Sequence, residues 1–323
     1  MKIYKYTLLR LLITASIVSS CIRDDFENCP TKLNSFQVVF TCDTPQGRRS
    51  FDPAELKVAY LYVFDKNGDY IKTIPFENPE LYRNYPLDIK LSADKYEFIV
   101  WFNQSEIFDI ASYNSNQNLS SPLSHQDILA LHIPSEGYIT TTIPLILYGN
   151  VENISISGDK SQVVTIPLEQ NTNTINVTVK GLPQTGHMYF NTITDHNGNE
   201  TFLNKPAPGK NFSYVAPMSL KSATKSIENE SSNLFSSLRI LKLYKENQPK
   251  LILWDETEKR DLYPGKSGLS NDLIKLILDK YPDVDFNTTH IFDIILVYDT
   301  DMNVTVDIHY WNDHDTDYEI EPN

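Results

Sequence analysis

Short apolar runs separated by turn residues recur along almost the whole chain, and this pattern limits the fold more than any other feature of the sequence. Residues 56–65 (LKVAYLYVFD) are apolar on both faces, as is typical of a central strand that is covered from both sides. The Asn67-Gly68 pair that follows predicts a tight hairpin turn, because these residues readily adopt positive φ angles. Residues 174–180 alternate between apolar and polar side chains and predict a strand with one buried face. The other predicted strands are residues 35–42, 96–102, 140–148, 238–244, 250–254, 290–298 and 304–311.

Helical patterns are scarce. The clearest covers residues 271–281, where apolar side chains share one face, with Ser270 as the predicted N-cap and Pro282 as the residue that ends the helix. Residues 124–127 (SHQD) resemble a capping box and predict a short helix that runs through Leu131. Because strands dominate and do not alternate regularly with helices, we predict an all-β protein with a few short helices, arranged most simply as two β-sandwiches.

The length of the chain agrees with two domains. A chain of 323 residues can form two units of roughly 100–200 residues each, and the polar stretch 152–161 (ENISISGDKS) is the best linker between them. We therefore predict an N-terminal domain with its tether at residues 21–160 and a C-terminal domain at residues 161–323. A second polar stretch, residues 221–232, predicts a loop inside the C-terminal domain.

Residues 1–20 have the proportions of a signal peptide. Basic residues precede an apolar core, residues 11–18, which is too short to span a bilayer because a membrane helix needs roughly 20 apolar residues. Small side chains lie directly before Cys21, and this arrangement resembles the cleavage site of bacterial lipoproteins, whose cysteine becomes the lipidated first residue. We therefore predict removal of residues 1–20 and lipid attachment at Cys21. An ordinary signal peptide with a chance cysteine is the alternative.

Lipid on Cys21 would hold the body of the protein at a membrane. Each buried CH₂ group contributes about 0.8 kcal/mol, so that two or more acyl chains anchor a protein stably. The acidic residues Asp24 and Asp25 follow the cysteine. In the Bacteroidetes lipoproteins that this segment resembles, an acidic patch accompanies export to the outer face of the outer membrane, whereas a solvated tether is the simpler interpretation. We expect a lipid-anchored protein of the outer membrane that faces the outside.

Net charge excludes one class of partner. The chain carries a formal net charge of −14 at pH 7, and loss of the basic signal makes the mature protein more acidic still. Such a surface repels phosphate backbones, whose binding depends on Lys and Arg side chains that displace counterions. We therefore expect no nucleic acid as a partner and no attachment to anionic lipid through a basic patch.

The two remaining cysteines, Cys29 and Cys42, would lie in an oxidising compartment where disulfides persist. A bridge between them would tie the tether to the first strand. Two free thiols are the alternative, because the sequence does not fix the distance between the two Cα atoms. A metal site is not expected here, since no histidine lies nearby.

Motifs that would indicate catalysis do not emerge. Residues 265–267 (GKS) lack the first glycine of a phosphate-binding loop and predict a turn. Residues 313–319 have the spacing of a calcium loop but lack its central glycine and last ligand, so an acidic solvated tail is the favoured interpretation. We predict no enzymatic activity, no cofactor and no metal site. Three tryptophans end predicted strands, and burial in the core is favoured for them over stacking on a sugar: Trp101, Trp254 and Trp311.

Seven motifs follow one another along the chain: residues 21–25 (CIRDD), 61–65 (LYVFD), 96–103 (YEFIVWFN), 147–149 (LYG), 168–182 (LEQNTNTINVTVKGL), 237–243 (SLRILKL) and the final hairpin, which ends at Trp311. In this order they resemble the motifs of the FimB-type fimbrial anchor lipoprotein family of Bacteroidetes, the fimbrillin-associated anchor proteins. The sequence departs from this family at Gln170, where arginine is frequent, and at His309-Tyr310, where Val-Asn is common.

The resemblance implies a fold and a function. It implies two transthyretin-like β-sandwich domains, attachment to the outer membrane, and a role in anchoring a fimbrium to the cell surface and limiting its length. Contact with fimbrial subunits would be strand-mediated, because the edge of a sheet offers unpaired N–H and C=O groups.

Two other functions stay open. A surface glycan-binding lipoprotein is supported by 19 tyrosines and by the same lipid anchor. A polymerising fimbrial shaft or tip subunit would have to lose its N-terminus to a protease, and Arg48-Arg49 is a dibasic site for such a cut. A cut there would separate the lipid from the body, so for an anchor we predict an intact mature protein, residues 21–323.

Overall fold

The computed structural model describes residues 33–41, 43–44, 47–48, 55–77, 86–111, 124–157, 162–221 and 233–311. Strands dominate these residues, which confirms the predicted all-β class. Helix is confined to short segments, among them the 3₁₀ helix Gln104–Glu106 and the α-helix α1, Leu273–Lys280. The transthyretin-like character of the sandwiches stays an expectation from the resemblance.

In chain order the strands are β1 (Asn34–Thr41), β2 (Asp43–Thr44), β3 (Gly47–Arg48), β4 (Val58–Asp65), β5 (Tyr70–Glu77), β6 (Leu87–Leu91), β7 (Lys95–Phe102), β8 (Phe108–Ala111), β9 (Ile128–Leu131), β10 (Tyr138–Ile139), β11 (Leu147–Ser155), β12 (Val163–Gln170), β13 (Thr172–Lys180), β14 (Tyr189–Asp195), β15 (Asn199–Thr201), β16 (Phe212–Pro217), β17 (Ser219–Lys221), β18 (Asn233–Leu241), β19 (Lys250–Asp255), β20 (Arg260–Tyr263), β21 (Ile291–Tyr298) and β22 (Val304–Trp311).

Seven strands form the first sheet, in the order β5-β4-β7-β11-β12-β1-β6. β1 and β12 run parallel, and the other neighbours are antiparallel. The two edge strands of this sheet come close to each other. Lys72 in β5 donates a hydrogen bond from Nζ to the carbonyl oxygen of Lys90 in β6, 3.0 Å away, which shows that the sheet is strongly curved. Apolar side chains on the inner face pack into one core cluster, with Val38, Leu61 and Val100 among its fully buried members.

The second half of the molecule packs two five-stranded sheets against each other. Their orders are β10-β16-β14-β19-β20 and β17-β18-β13-β21-β22, and side chains such as Ile193 and Ile294 meet in one core cluster between them. Helix α1 contributes Leu273 and Ile277 to the same cluster. The strict alternation that predicts a half-buried strand at residues 174–180 is confirmed in β13, where every second side chain is buried.

The N-cap of helix α1 lies two residues later than predicted. The side chain of Asp272, the N-cap, accepts a hydrogen bond from the backbone N–H of Lys275 at 3.0 Å. The predicted N-cap, Ser270, is therefore wrong; its hydroxyl oxygen accepts a hydrogen bond from the N–H of Asp272 instead. Both residue types cap helices well, so a local pattern does not separate them.

The predicted helix at residues 124–131 is also wrong. Residues 128–131 form β9, which pairs with β8 on one side and with β15 on the other. The side chain of Ser124 accepts a hydrogen bond from the N–H of Gln126 in the turn that leads into this strand. Pairing with two neighbouring strands outweighs the local capping signal.

The hairpin prediction at Asn67-Gly68 is confirmed. The two residues join β4 to β5, Gly68 has a φ of +83°, and the carboxylate of Asp65 accepts hydrogen bonds from the N–H groups of Asn67 and Asp69. Residues 140–146 do not form the predicted strand, which begins only at Leu147.

The chain passes from the first half of the molecule to the second after the predicted division at residue 160. β12 lies within the first sheet, between β11 and β1, and the chain leaves this sheet at Asn171. Residues 152–155 continue β11, so this part of the predicted linker is strand. The division into an N-terminal and a C-terminal domain stays a prediction.

Candidate functional site: the junction between the two halves

The two halves meet in a region that we call the junction. It consists of the three-stranded sheet β15-β9-β8, the turn at residues 202–204 and the crossover from β12 to β13 at residues 169–173. In the three-stranded sheet, β8 and β9 come from the first half of the chain and β15 from the second. β10, also from the first half, pairs in parallel with β16. The halves therefore share backbone hydrogen bonds at two places.

Phe202 packs on the outer face of the first sheet. Its side chain is fully buried. Its ring lies edge-on to the ring of Tyr62, with 4.8 Å between centroids, and 6.2 Å from the ring of Phe64. Trp101 donates a hydrogen bond from Nε1 to the carbonyl oxygen of Phe202 at 3.2 Å. The core cluster of the second half thus continues onto the first sheet.

Asn103 connects three segments of the chain next to the junction. It follows β7 with a φ of +57°, a left-handed conformation that asparagine tolerates better than most residues. Its Nδ2 donates hydrogen bonds to the carbonyl oxygens of Glu55 at 2.6 Å and Leu145 at 2.8 Å. Its Oδ1 accepts one from the N–H of Lys57 at 3.0 Å. This buried side chain therefore fixes the segments that lead into β4 and β11.

An ion pair crosses between the halves at the surface. Arg239 in β18 places Nη1 2.6 Å from Oε2 of Glu55. Both side chains are partly exposed, so the pair contributes only about 0–1 kcal/mol.

Glu200 is a fully buried acid in β15. Its Oε2 accepts a hydrogen bond from Nδ2 of Asn171 at 2.7 Å, and its Oε1 accepts one from the hydroxyl of Tyr244 at 3.3 Å. Burial raises the pKa of Glu200 to about 7, because two neutral donors replace the hydration of the carboxylate only in part. The carboxyl group therefore changes its charge near neutral pH.

A second buried acid, Asp195, ends β14. Its Oδ1 accepts a hydrogen bond from the N–H of His196 at 2.7 Å, and burial raises its pKa to about 6. Near both acids lies the fully buried Tyr214, which donates to Oδ1 of Asn197 at 3.4 Å and accepts from the N–H of Leu241 at 3.2 Å. One buried acid thus lies in the junction and a second lies beside it.

The crossover buries four consecutive polar residues, 170–173. Asn173 donates from Nδ2 to the carbonyl oxygen of Thr289 at 3.1 Å and accepts at Oδ1 from the N–H of Leu243 at 2.8 Å. The strand β12, which precedes this run, was not predicted. Four uncharged polar residues directly before the predicted strand 174–180 are the signal in the sequence that indicates a buried crossover.

The sheet edges differ in how accessible they are to a partner strand. β22 is an edge strand, but the hydroxyl of Tyr281 donates to the carbonyl oxygen of Ile308 at 3.0 Å, and its ring packs edge-on against Tyr310. β5 is an edge of the first sheet. A cavity of about 490 Å³ lies between α1 and β22, and its apolar lining residues are Leu269, Leu276, Val304, Val306 and Ile308.

One cluster of metal-ligating atoms occurs among the described residues. One ligand atom from each of His187, Asp255 and Glu258 lies within 4.8 Å of the others. Asp255 is buried, its Oδ2 contacts Nδ1 of His187 at 2.9 Å, and its Oδ1 accepts the N–H groups of Thr257 and Glu258. The Asp255 carboxylate therefore orders the turn between β19 and β20 through these hydrogen bonds. Asp255 and His187 are 68 positions apart in the sequence, so the cluster does not form a local sequence motif.

The predicted site residues Cys21, Cys29 and Cys42 lie outside the described residues, as does the acidic segment 313–319. Lipid attachment and the choice between a disulfide and free thiols stay predictions. The turn at residues 265–267 is confirmed, since Ser267 donates its N–H to the carbonyl oxygen of Pro264.

The tryptophans behave differently from one another. Trp101 is fully buried, which confirms the predicted core position, whereas Trp254 is half-buried and donates from Nε1 to Glu256. The side chain of Trp311 lies outside the described part of the chain. Nowhere in that part does a helix have the length and apolar character needed to cross a membrane.

Several solved structures share this fold. The fimbrial anchor protein Mfa2 from Porphyromonas gingivalis is 21% identical, with a TM-score of 0.64 over 87% of this chain and 99% of that chain. A candidate adhesin from Bacteroides thetaiotaomicron is 17% identical, with a TM-score of 0.68 over 87% of this chain and 97% of that chain. A structure described as candidate polysaccharide-binding proteins from the same organism is 17% identical, with a TM-score of 0.63 over 87% of this chain and 99% of that chain. At these identities the likeness establishes a common fold alone.

The family comparison goes further than the fold. None of the curated proteins matches the chain. The family model described as fimbrillin-A associated anchor proteins Mfa1 and Mfa2, however, matches residues 26–317. This match confirms the resemblance found in the motifs, and the chain belongs to the family of fimbrillin-A associated anchor proteins Mfa1 and Mfa2.

Proposed function

We propose that the protein is an outer-membrane lipoprotein that anchors a fimbrium to the cell surface, limits its length and contacts fimbrial subunits through strand pairing. Family membership supports a fimbria-associated anchoring role at the cell surface. The observation that carries the proposal is the junction. Shared strands, the packing of Phe202 and buried polar contacts join the two halves there, so a load on one half reaches the other through packed structure.

The position of β1 supports attachment at the N-terminal side. A lipid on Cys21 would pull on the segment that precedes this strand. β1 lies inside the first sheet, paired with β12 on one side and with β6 on the other. A force along the strand therefore loads two ladders of hydrogen bonds together, and they resist in concert.

The first sheet supports strand-mediated contact with a subunit. Its edge strands β5 and β6 are eight and five residues long, and a side-chain contact from Lys72 to Lys90 spans them. A strand entering between them would displace the contact of Lys72 and pair with backbone N–H and C=O groups of both edge strands. Tyr281 makes the edge of β22 a poorer place for such pairing.

The dibasic site distinguishes an anchor from a polymerising subunit. Arg48 lies in the two-residue strand β3, and its partner in the small hairpin is Asp43 in β2. Loop tips are preferred sites of proteolytic nicking, so this pairing does not by itself protect the bond. An anchor must keep the bond intact, because a cut there would separate Cys21 from the body of the protein.

Glycan binding finds one supporting and one opposing observation. One solved structure with this fold is described as a candidate polysaccharide-binding protein. Of the aromatic side chains that the structure describes, Tyr138 is the exposed one, at 54%. A platform for a sugar needs more than one exposed ring in a groove, so we favour the anchor.

The test is substitution of the proposed lipid site. The variant Cys21→Ala should leave the outer-membrane fraction, and cells that carry it should shed fimbriae into the medium or make fimbriae of altered length. Cys42→Ala is the matched control, since it also removes a thiol but keeps the lipid site. Fractionation and electron microscopy measure both outcomes.

Three results would contradict parts of the proposal. Unchanged membrane retention of Cys21→Ala would exclude the lipid at this residue. Fimbriae that stay attached at normal length after deletion of the gene, together with loss of polysaccharide binding, would favour the glycan function. Surface protein that begins at Arg49 or Ser50 by mass spectrometry would identify a shaft or tip subunit.

A further inference from the structure

We infer that the junction contains a proton-dependent lock, in which a neutral Glu200 side chain holds β15 against the crossover and an ionised Glu200 loosens it. The inference concerns the stiffness of the body of the protein. It depends on neither the lipid nor the fimbrial partner in the proposed function.

The position of Glu200 makes it suitable for this role. Its backbone pairs with Leu129 of β9, so the residue lies in the strand that joins the halves. Its side chain accepts a hydrogen bond from Asn171, the residue at which the chain leaves the first sheet. Phe202, which packs on the first sheet, follows two residues later. A change at this carboxyl group therefore acts on the strand pairing and the crossover together.

Burial favours the neutral form of Glu200, because the carboxyl group has lost its hydration and both of its hydrogen-bond donors, Asn171 and Tyr244, are uncharged. The two donated hydrogen bonds and the positive charge of Lys242 favour the ionised form, but they offset the effect of burial only in part. Lys242 itself contacts Glu169 at 3.8 Å. The other charged or titratable groups on the elements that surround Glu200 are Asp109, Asp127, His132, Asp195, His196, Lys205 and Tyr214.

The sign of the effect follows from linkage. The pKa of Glu200 is about 7 in the closed junction, and in an opened, hydrated junction it returns towards the ordinary value of 4.5. Between these pH values the closed form keeps a proton that the open form releases, so opening becomes easier as pH rises and levels off above the closed pKa. The stabilisation is complete below pH 4.5 and lost as pH rises through 7.

Asp195, a neighbouring acid, affects the opening of the junction in the same direction but at lower pH. The pKa of Asp195 is raised from 3.8 to about 6, so its contribution is largely lost by pH 6. Above that pH the junction responds to Glu200. A comparison between pH 6 and pH 8 therefore follows the proposed lock, and the same comparison in Glu200→Gln separates it from the neighbouring His132 and His196, which pair with Asp109 and Asp195.

Hydrogen exchange of the full-length chain tests the lock. Exchange rates of peptides that cover β9 and residues 199–204 are divided by the intrinsic rate at each pH, which gives the opening constant. For the unmodified protein we expect this constant to rise about tenfold from pH 6 to pH 8. It should stay constant in Glu200→Gln, which keeps the shape of the side chain but carries no titrating group. The control Asp195→Asn should retain the rise.

Four outcomes would overturn the inference. These are a flat profile in the unmodified protein, a rise that persists in Glu200→Gln, loss of the rise in Asp195→Asn, and an equal rise in peptides from β7, which would indicate global unfolding. Should Glu200→Gln fail to fold, the profile of the unmodified protein still decides. It should level off above pH 7, and a continued rise to pH 9 would contradict the lock.

Discussion

Single polar side chains at and beside the junction form hydrogen bonds between distant segments, which apolar side chains cannot do. Asn103 and Asn171 are both fully buried, and each satisfies groups on segments that are distant in sequence. A buried amide can donate and accept at once, so it can satisfy carbonyl and N–H groups where two strands diverge. The geometry of these segments therefore depends on specific residue types and not only on hydrophobic burial.

The variant Asn103→Ala tests this dependence. It removes the partner of two carbonyl oxygens and one N–H group, and each buried group left unsatisfied costs about 1–3 kcal/mol. We expect the free energy of unfolding to fall by about 3 kcal/mol or more, measured as a shift of the urea midpoint at constant slope. Asn153→Ala is the matched control, because Asn153 has a φ of +58° but is exposed. Equal effects of the two substitutions would mean that backbone strain, not hydrogen bonding, explains the loss.

At the level of elements, the sequence predicts those strands in which the order of apolar and polar residues matches the buried and exposed faces. The β13 and β22 segments alternate strictly, and the β4 segment is apolar on both faces; all three are confirmed. The β9 segment has only four residues, too short for its period to be read, and its neighbours in the sheet decide its structure. The junction escaped prediction because it depends on contacts between distant residues; Trp101 and Phe202, for example, are 101 positions apart.

Removing the ring of Phe202 should separate the two halves energetically. The variant Phe202→Ala loses the packing on Tyr62 and Phe64, and such truncations cost about 3–5 kcal/mol. We expect unfolding to divide into two transitions, because the lost contacts are those between the halves. Calorimetry and tryptophan fluorescence measure this. Phe292→Ala is the matched control, since Phe292 is equally buried but belongs to the second half. A single transition for Phe202→Ala would show that the remaining strand pairing suffices for coupling.

Considered as a whole molecule, the chain crosses between its halves more than once. Two strands from the first half pair with strands of the second: β9 with β15 and β10 with β16. β8 extends this contact by pairing with β9. The main core cluster also includes residues from both halves. Such an arrangement transmits force and also makes each half depend on the other. It agrees with the proposed anchoring role, in which the body of the protein would be under load.

A chain that ends at residue 160 should therefore not fold. It lacks β12, so β1 loses its parallel partner and β11 an antiparallel one. A matched chain that ends at residue 171 contains all seven strands of the first sheet but leaves the face around Trp101 uncovered. We expect no cooperative unfolding from the shorter chain, and strand signal with binding of a hydrophobic dye from the longer one, measured by circular dichroism and fluorescence. Cooperative unfolding of the shorter chain would support a domain boundary at residue 160.

The parallel pairing of β1 with β12 also determines when the protein can fold. Residues 37–41 of β1 pair with residues 163–167, so the first sheet cannot close until more than a third of the chain after β1 has been exported. Contacts between residues so far apart in sequence form late, because a long loop must be closed before they are gained. A lipid added to Cys21 during export would thus be attached to a chain that is still unfolded. The protein would be tethered first and would acquire its shape at the membrane surface.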